Sequence, residues 1–346
     1  MSYRTPPARK PMVREVRDAL LAARRVILTT HLNADGDGAG SEAAVASWLR
    51  ANGTEVFIIN PTPFPNSFRF LIENQDWIVP AGSSRARDLC RSADLAAVLD
   101  TGEVPRIGRV RDLIRDLPTV VIDHHPVGEK SIGGISLRDP DASATGELIY
   151  DLVLAANGPW TDHVALGIYV AILTDTGSFR FTNATPDCHR IAAEMIARGV
   201  NQEDTYTRVY GAAPLRKYKL LRHALETLDS DEEAGITWMT VPTEVYEELD
   251  ATPEDLEGMV DIPRSVDGTQ IGVLFRKAST GDIKISFRSN GPVDVNVLAR
   301  RFGGGGHVKA SGAVVAGPLD RAIEEVLAAT RKAVRRQANT SEAGTE

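Results

Sequence analysis

Hydrophobic positions recur with two different periods along the first two hundred residues. Val13, Val16, Leu20 and Ala23 follow helical spacing, and the largely apolar run 26–30 that comes next has the length of a buried strand. The same reasoning predicts a helix at 38–52, strands at 55–59, 95–99 and 120–122, and helices at 144–157 and 164–174. This alternation of strands and helices predicts an α/β domain with a parallel, doubly wound sheet.

The pattern changes after about residue 210. The segment 214–228 is amphipathic and charged, which is typical of a connecting helix, and the acidic run 229–233 follows it. A second series of apolar runs predicts strands at 236–241, 270–276, 283–288 and 312–315 and a helix through 323–330. We therefore expect a first domain at 1–210, a linker helix with an acidic boundary at 211–233, a smaller α/β domain at 234–336 and a disordered tail at 337–346.

Composition narrows the classes of protein to which the chain can belong. Its 346 residues are 42% hydrophobic and 25% charged, which is enough apolar surface to exclude intrinsic disorder for most of the chain. The formal net charge of −8 argues against a long surface for duplex DNA. Two cysteines are too few for a disulfide scaffold or a cysteine-rich zinc module. Because the longest apolar stretch is about half of what spans a bilayer, we expect a cytoplasmic protein without a membrane anchor.

A cluster of polar residues follows the first predicted strand. His31, Asp35 and Asp37 lie within seven positions, and Gly36 and Gly38 between them allow sharp backbone turns. A pair of aspartates at this spacing usually marks a turn. Clustered carboxylates raise one another's pKa, however, and a bound cation removes that cost. The segment therefore offers a candidate site for a divalent metal ion.

Other acidic and histidine residues also stand where buried elements end. Asp100 ends the run 95–99, Asp123 and the two histidines after it end the run 120–122, and Asp175 ends the apolar stretch 164–174. Each of these could be a cap or a solvated loop residue. Together they would meet at one edge of the sheet, where ligands bind in open α/β folds. Carboxylates and imidazoles without thiolates favour a two-metal site for a hard or borderline ion such as manganese.

These motifs, in this order, resemble those of a known family. The segments 31–41, Asp100, 123–125 and 175–180 are similar to the four motifs of the DHH phosphoesterase superfamily. The segment 303–312, with its four glycines and a histidine, resembles the signature of the C-terminal substrate-binding domain associated with that family. The two-domain form is most similar to the nanoRNase/pAp phosphatase branch. Together these segments span most of the chain.

The resemblance implies a role for each metal-site residue. His31 and Asp35 would hold one metal ion, and Asp100 would bridge it to a second. The second ion would be held by the three remaining ligands, Asp37, His124 and Asp175. Asp123 would orient a histidine, and His125 would contact the scissile phosphate or help to protonate the leaving oxygen.

Positive contacts for an anionic substrate are also present. Arg180 could clamp a phosphate through two hydrogen bonds, and Arg288 at the end of a second-domain strand could reach a phosphate or a base. The glycine run exposes backbone N–H groups that could form an anion nest. The predicted substrate-binding residues are Arg180, Arg288, Gly304, Gly305, Gly306, His307 and Lys309.

The resemblance implies an activity and leaves alternatives open. A manganese-dependent phosphoesterase would release nucleoside monophosphates from short oligoribonucleotides and convert 3′-phosphoadenosine 5′-phosphate (pAp) to AMP, in a cleft between the domains. The linear dinucleotide pApA and cyclic di-AMP are further substrates of the same chemistry. A manganese inorganic pyrophosphatase and a non-catalytic nucleotide-binding regulator are the other interpretations. Partners would be short RNA and small nucleotides rather than duplex DNA or a membrane, and a homodimer is expected by analogy.

Overall fold

The computed structural model describes residues 3–128, 130–211, 213–256, 258–278 and 280–343. The chain divides into two compact units, Met1–Ala212 and Ala213–Glu346, which are described separately below. Across the described residues, no helix is both long enough and apolar enough to cross a membrane.

The first unit is built on a five-stranded parallel sheet with the order β2-β1-β3-β4-β5. Its strands are β1 Arg25–Thr29, β2 Glu55–Ile58, β3 Leu95–Leu99, β4 Thr119–Asp123 and β5 Ile135–Arg138. Its helices are α1 Lys10–Ala22, α2 Gly36–Ala51, α3 Ser84–Arg91, α4 Val110–Leu113, α5 Thr145–Ala155, α6 Asp162–Asp175, α7 Pro186–Ala197 and α8 Gln202–Tyr206. This confirms the α/β class and the parallel sheet, although β5 was not predicted.

Helices cover both faces of the sheet. Alternate residues of each strand point to opposite sides, so each strand contributes apolar side chains to both faces. Val26 and Leu28 of β1 pack in a core with α1, α2, α5, α6 and α7, whereas Ile27 packs in a second core with α3 and α4. All three side chains are completely buried. The sheet is therefore doubly wound, and its carboxyl edge is the place where polar groups can collect.

Helices α2 and α6 touch through their backbones. A Cβ atom added at Gly40 of α2 would lie 2.5 Å from the carbonyl oxygen of Gly167 in α6, and one added at Gly167 would lie 2.6 Å from the carbonyl oxygen of Gly40. Only glycine permits so close an approach. The contact brings the first turn of α2, which carries Asp37, beside the last turn of α6, which carries Asp175.

The second unit contains a mixed six-stranded sheet with the order β10-β11-β9-β8-β7-β6, in which β7 and β8 are parallel and the other pairs antiparallel. Its strands are β6 Asp229–Asp231, β7 Ile236–Val241, β8 Ile271–Lys277, β9 Ile283–Ser289, β10 Gly305–Gly306 and β11 Ala310–Val315. Its helices are α9 Leu215–Leu225, α10 Thr243–Glu248, α11 Asp261–Ser265, α12 Val295–Arg300 and α13 Leu319–Ala343. Helices again pack on both faces.

The structure differs from the expected boundaries at three places. Leu220 and Ala224 of α9 are buried against β7, so the predicted linker helix is part of the second unit. The acidic run, expected to be a solvated boundary, contributes the edge strand β6. Helix α13 continues to Ala343, through most of the segment expected to be disordered, and residues 344–346 lie outside the described residues.

Candidate metal centre

The predicted metal ligands of the first unit meet at the carboxyl edge of its sheet. His31 and Asp100 come just after β1 and β3, and Asp123 is the last residue of β4, with His124 directly after it. Asp175 is the last residue of α6. Because parallel strands end at a common edge, segments up to 144 positions apart in sequence reach one place.

One group of donors consists of His31, Asp35 and Asp100, whose nearest ligand atoms lie within 4.8 Å of one another. Nε2 of His31 is 3.2 Å from Oδ2 of Asp100 and 3.7 Å from Oδ1 of Asp35. Asp35 is also the N-cap of α2, since its Oδ1 accepts hydrogen bonds of 3.1 Å from the backbone N–H groups of Asp37 and Gly38. These two hydrogen bonds fix the position of the Asp35 carboxylate, which is 54% exposed.

A second group consists of Asp37, His124 and Asp175. Nε2 of His124 is 3.6 Å from Oδ2 of both aspartates and 3.7 Å from Oδ1 of Asp100. These separations exceed ordinary hydrogen-bond lengths. The ring therefore faces three carboxylates but forms no hydrogen bond of ordinary length with these three groups. Asp100 presents Oδ2 to the first group and Oδ1 to the second, which is the placement predicted for a bridging ligand.

Asp100 itself has a left-handed backbone, with φ of 57°. A residue with a Cβ atom pays a free-energy cost of about 1–2 kcal/mol for this conformation. Such a cost is tolerated where the surrounding contacts fix the backbone, often at functional sites. The side chain is only 2% exposed.

The start of α5 holds two of the carboxylates. Oδ2 of Asp37 accepts a 2.7 Å hydrogen bond from the backbone N–H of Thr145, and its Oδ1 accepts one of 3.1 Å from Gly146. The hydroxyl of Thr145 donates to Oδ1 of Asp100 at 3.0 Å. The unpaired N–H groups and positive end of a helix dipole favour a carboxylate here. Sequence reasoning missed both α5 residues.

The loop before α5 supports the remaining ligands. Nδ1 of His124 is 3.3 Å from the carbonyl oxygen of Ala142, which leaves Nε2 directed at the carboxylates. The side-chain amide of Asn183 donates to Oδ2 of Asp175 at 3.3 Å and to the carbonyl of Ser143 at 2.8 Å. Contacts of this kind orient metal ligands and raise affinity.

Asp123 orients His125 rather than His124. Its Oδ1 accepts a 3.1 Å hydrogen bond from the backbone N–H of His125 and lies 2.8 Å from Nδ1 of the same ring. The proton on Nδ1 is thereby held by Asp123, so Nε2 faces away from it. Nη1 of Arg106, which sequence reasoning did not consider, lies 3.4 Å from that Nε2.

The carboxylates are held closer together than their charges favour. Burial, together with the negative charges of Asp100 and Asp175, raises the pKa of Asp37 well above its usual range. Burial is the main cause that raises the pKa of Asp175 to about 6; Asp100 adds to it, and His124 opposes it. Asp175 also stands at the negative end of α6, which disfavours a carboxylate.

The imidazole of His31 partly compensates for this negative charge. Burial opposes protonation of His31, but Asp35 and Asp100 outweigh it and raise the pKa of the ring to about 10. Burial likewise opposes ionisation of Asp35 and Asp100, but both pKa values lie below their usual range. His31 outweighs burial at Asp35, and His31 together with His125 and His124 does so at Asp100.

The residues present fit a pair of divalent cations. The donors are carboxylate oxygens and imidazole nitrogens, the set that suits manganese and similar ions. They form two groups that share Asp100, and the repulsion among the buried carboxylates is the cost that bound cations remove. The acidic and histidine residues predicted from the sequence are thus brought together.

The predicted phosphate contact of the first unit lies just beyond this centre. Arg180 is exposed, and its Nε donates a 2.6 Å hydrogen bond to the carbonyl oxygen of Gly177. That bond anchors the guanidinium close to the end of α6.

The predicted substrate-binding residues of the second unit form hydrogen bonds mainly with backbone carbonyl groups of the same unit. Nη1 of Arg288 donates to the carbonyl of Phe287 at 3.1 Å, and its Nε lies 3.9 Å from Oδ1 of Asp261. The ammonium of Lys309 donates to the carbonyl of Gly291, and the backbone N–H of His307 donates to Ala310.

Part of the glycine run is already hydrogen-bonded, so it is not an open anion nest. The N–H of Gly304 donates to the carbonyl of Ala299 at 3.0 Å, so this group is already satisfied. Gly305 and Gly306 form the short strand β10 on β11. The N–H of Gly303 likewise donates to the carbonyl of Arg300 at 3.1 Å. The expectation that the whole run exposes its N–H groups is therefore wrong for Gly303 and Gly304, because these amides bond to carbonyl groups at the end of α12.

Comparison with known proteins decides the family. A family model described as the DHH family, N-terminal domain, matches residues 25–172, and one described as the DHHA1 domain matches 239–336. The chain is 32% identical to the bifunctional oligoribonuclease and PAP phosphatase NrnA of Thermus thermophilus, over 90% of each chain. The chain belongs to the DHH family.

Other DHH proteins match along most of their length. The bifunctional oligoribonuclease and PAP phosphatase NrnA of Bacillus subtilis is 29% identical, over 84% of this chain and 89% of the relative. A crystal structure of an exopolyphosphatase-related protein from Bacteroides fragilis superposes with a TM-score of 0.84 at 25% identity, over 94% of this chain and 96% of that one. The predicted resemblance is confirmed, and the chain is a hydrolytic phosphoesterase of the DHH family.

Proposed function

We propose that this DHH phosphoesterase hydrolyses short oligoribonucleotides to nucleoside monophosphates and pAp to AMP, with two divalent cations, Mn²⁺ first among them. The observation that carries the proposal is the pair of donor groups that share Asp100. The printed names of the T. thermophilus and B. subtilis relatives, which join oligoribonuclease and PAP phosphatase activities, supply the substrate class.

In this proposal the candidate ligands are divided between the two cations. His31, Asp35 and Asp100 would hold one ion, and the other would be held by Asp37, His124 and Asp175 with Asp100 shared. Two adjacent divalent cations activate water as a nucleophile near neutral pH and stabilise charge on the phosphoryl oxygens. Four ligating carboxylates carry a charge of −4 when ionised, which two divalent ions neutralise.

His125 would transfer a proton to the leaving group. Nδ1 of its ring is held by Asp123 at 2.8 Å, so Nε2 is the nitrogen proposed for this transfer. Burial of the ring opposes its protonation, but Asp123 and Asp100 outweigh this effect and raise the pKa of His125. A protonated imidazole at this place can donate its Nε2 proton to the departing oxygen.

The second unit would bind the part of the substrate that does not react. Arg288 and Lys309 carry positive charge, and His307 adds a ring that can donate or accept. Together with the exposed glycines 305 and 306, they suit a distal phosphate and a base. Arg180 of the first unit would contact a phosphate beside Asp175.

A product assay by chromatography tests the proposal. Purified protein with Mn²⁺ is incubated with pAp, a ladder of short RNA oligonucleotides, pApA, cyclic di-AMP or pyrophosphate. We expect AMP from pAp and monophosphates from RNA of a few nucleotides, and loss of both after Asp100→Ala with nucleotide binding retained.

Other outcomes would overturn the proposal in defined ways. Hydrolysis of pyrophosphate alone would indicate the inorganic pyrophosphatase, and preference for pApA or cyclic di-AMP would indicate a dinucleotide phosphodiesterase. Binding without turnover of any substrate would indicate the regulator.

The cytoplasmic location, the homodimer and the lack of binding to duplex DNA stay predictions. Light scattering after gel filtration tests the homodimer. A titration with duplex DNA at low salt tests the predicted lack of DNA binding.

A further inference from the structure

An arginine that no motif marks lies beside the metal centre. Arg106 belongs to the single helical turn Val104–Ile107, which follows β3 and Asp100. Its Nη1 is 3.4 Å from Nε2 of His125, whose other ring nitrogen, Nδ1, lies 2.8 Å from Asp123. Nδ1 of the same ring is 3.7 Å from Oδ1 of Asp100. The guanidinium therefore lies one side chain away from the shared metal ligand.

The backbone of Arg106 is tied to the first metal-binding loop. Its carbonyl oxygen accepts a 2.8 Å hydrogen bond from the N–H of Leu32, the residue after His31. The turn that carries the guanidinium is thus joined to the loops after β1 and β3, both of which supply metal ligands. Because this bond is made by the backbone, replacement of the side chain leaves it in place.

Among the described residues, no carboxylate pairs with the charge of Arg106. Within the described ranges, no Asp or Glu oxygen forms a salt bridge with its guanidinium, although the side chain is partly buried. An arginine is always charged in proteins, and an imidazole nitrogen at 3.4 Å is a weak partner for a cation. A half-buried guanidinium of this kind favours an anion, and its planar fork suits two oxygens of a phosphate.

We propose that Arg106 is a catalytic residue that binds the phosphoryl group undergoing hydrolysis, on the same side as Nε2 of His125. The assignment rests on the proposed function, because it places the reacting phosphate at the two groups of metal ligands. The guanidinium donates hydrogen bonds to oxygens of the reacting phosphoryl group. Negative charge on those oxygens changes during the reaction, so these bonds contribute to the rate as well as to binding.

Three variants separate this role from a structural one. Arg106→Gln removes the charge and keeps a polar stem, and Arg106→Lys keeps the charge but loses the planar fork. Arg109→Gln is the matched control, since Arg109 is exposed and lies one turn further along the chain. For each variant, kcat and KM are measured with pAp and with a short RNA, and Mn²⁺ binding is measured by calorimetry.

We expect kcat/KM of Arg106→Gln to fall about 10²-fold to 10³-fold with both substrates, with kcat falling as well as KM rising. Arg106→Lys should recover part of the loss. Mn²⁺ affinity should stay within about threefold of wild type in both variants, and Arg109→Gln should match wild type throughout. A kcat/KM for Arg106→Gln within threefold of that of Arg109→Gln would overturn the proposal. So would a loss of activity fully explained by weaker Mn²⁺ binding.

A titration with inorganic phosphate distinguishes failure of this inference from failure of the proposed function. Wild-type protein that cleaves neither pAp nor RNA would defeat the proposed substrates. Phosphate binding to the Mn²⁺-loaded wild type, weakened about tenfold or more in Arg106→Gln, would still support the assignment. Equal phosphate binding by the two proteins, or none by either, would overturn it.

Discussion

The two units of this protein prepare for binding in different ways. In the first unit, Asp37 and Asp100 are 1% and 2% exposed, and their oxygens accept hydrogen bonds from Thr145, Gly146 and Ser41. In the second unit, Arg288 and Lys309 are half-buried or exposed and bond to nearby carbonyl groups. The candidate metal ligands are therefore held by the fold itself, whereas the predicted substrate contacts would have to exchange their present hydrogen-bond partners.

The difference follows from the chemistry of the two ligands. Buried carboxylates that repel one another stay close together only if the surrounding structure holds them. Here they are held by the ends of the strands and by the first turn of α5. Long cationic side chains can reach a phosphate from the surface at the cost of side-chain entropy. Substitutions in the first unit should therefore change turnover and metal binding, and those in the second should change mainly KM.

The largest effect is expected from Asp100→Asn. Loss of the shared carboxylate should lower kcat at least about 10³-fold, because several kcal/mol of charge stabilisation depend on the paired cations. Calorimetry with Mn²⁺ should show fewer than two ions bound at micromolar metal. Asp112→Asn, which changes an exposed aspartate of α4, is the control and should be as active as wild type. Asp100→Asn with more than a tenth of wild-type activity would contradict the shared-ligand assignment.

The next effect is expected from Thr145→Val. The substitution keeps the backbone N–H that holds Asp37 but removes the hydroxyl that holds Asp100. Mn²⁺ affinity should fall about 10-fold to 100-fold, as for other residues that orient metal ligands, and Thr145→Ser should restore it. Thr205→Val, a buried threonine of α8 with a hydroxyl bonded to Asn201, is the matched control. Equal Mn²⁺ affinity of Thr145→Val and wild type would show that the hydrogen bond from Thr145 to Asp100 is not needed for metal binding.

A smaller effect of another kind is expected from Arg288→Gln in the second unit. KM for pAp and for short RNA should rise about tenfold, because one charge-assisted contact is lost, while kcat and Mn²⁺ affinity stay near wild type. Arg321→Gln, on the exposed face of α13, is the control. A fall in kcat with unchanged KM would break the distinction between the two units.

The smallest effect is expected in the metal-free protein, from Asp175→Asn. The folded-state pKa of Asp175, about 6, lies above the ordinary value of 3.8, so its contribution to the free energy of unfolding is lost as pH rises through about 6. In EDTA at pH 8 the variant should therefore unfold about 2–6 °C higher than wild type, with a smaller difference at pH 5. Differential scanning calorimetry measures both.

Asp187→Asn provides the control for this comparison, since the side chain of Asp187 is 44% exposed and forms a salt bridge with Arg190. It should show the same Tm difference from wild type at both pH values. If Asp175→Asn is less stable than wild type at pH 8 without metal, the described electrostatic cost is absent.

The sequence predicted the strand ends well, and it also predicted which acidic and histidine residues meet beyond them, because each signal is local. A buried run followed by Asp or His is visible in a few residues, as at 95–100 and 120–124. Sequence reasoning missed Thr145 and Gly146 because a backbone N–H gives no residue-type signal. The start of the predicted helix at 144, just after a loop at the sheet edge, was the available signal.

Arg106 and the domain boundary were missed for a different reason. Arg106 stands in a short turn with no period, and only the fold brings it to His125. The amphipathic pattern of 214–228 does identify a helix, but not the partner of its apolar face, which is β7 of the second unit. Tertiary contacts of this kind are not encoded in local spacing.

The close contact between Gly40 and Gly167 sets the reach of the second donor group. A methyl group at either position would meet a backbone oxygen within 2.6 Å, so α2 and α6 would have to move apart. The carboxylates at their adjoining ends would move with them. The absence of two side chains therefore helps to set the distance between Asp37 and Asp175, two of the residues proposed to hold one cation.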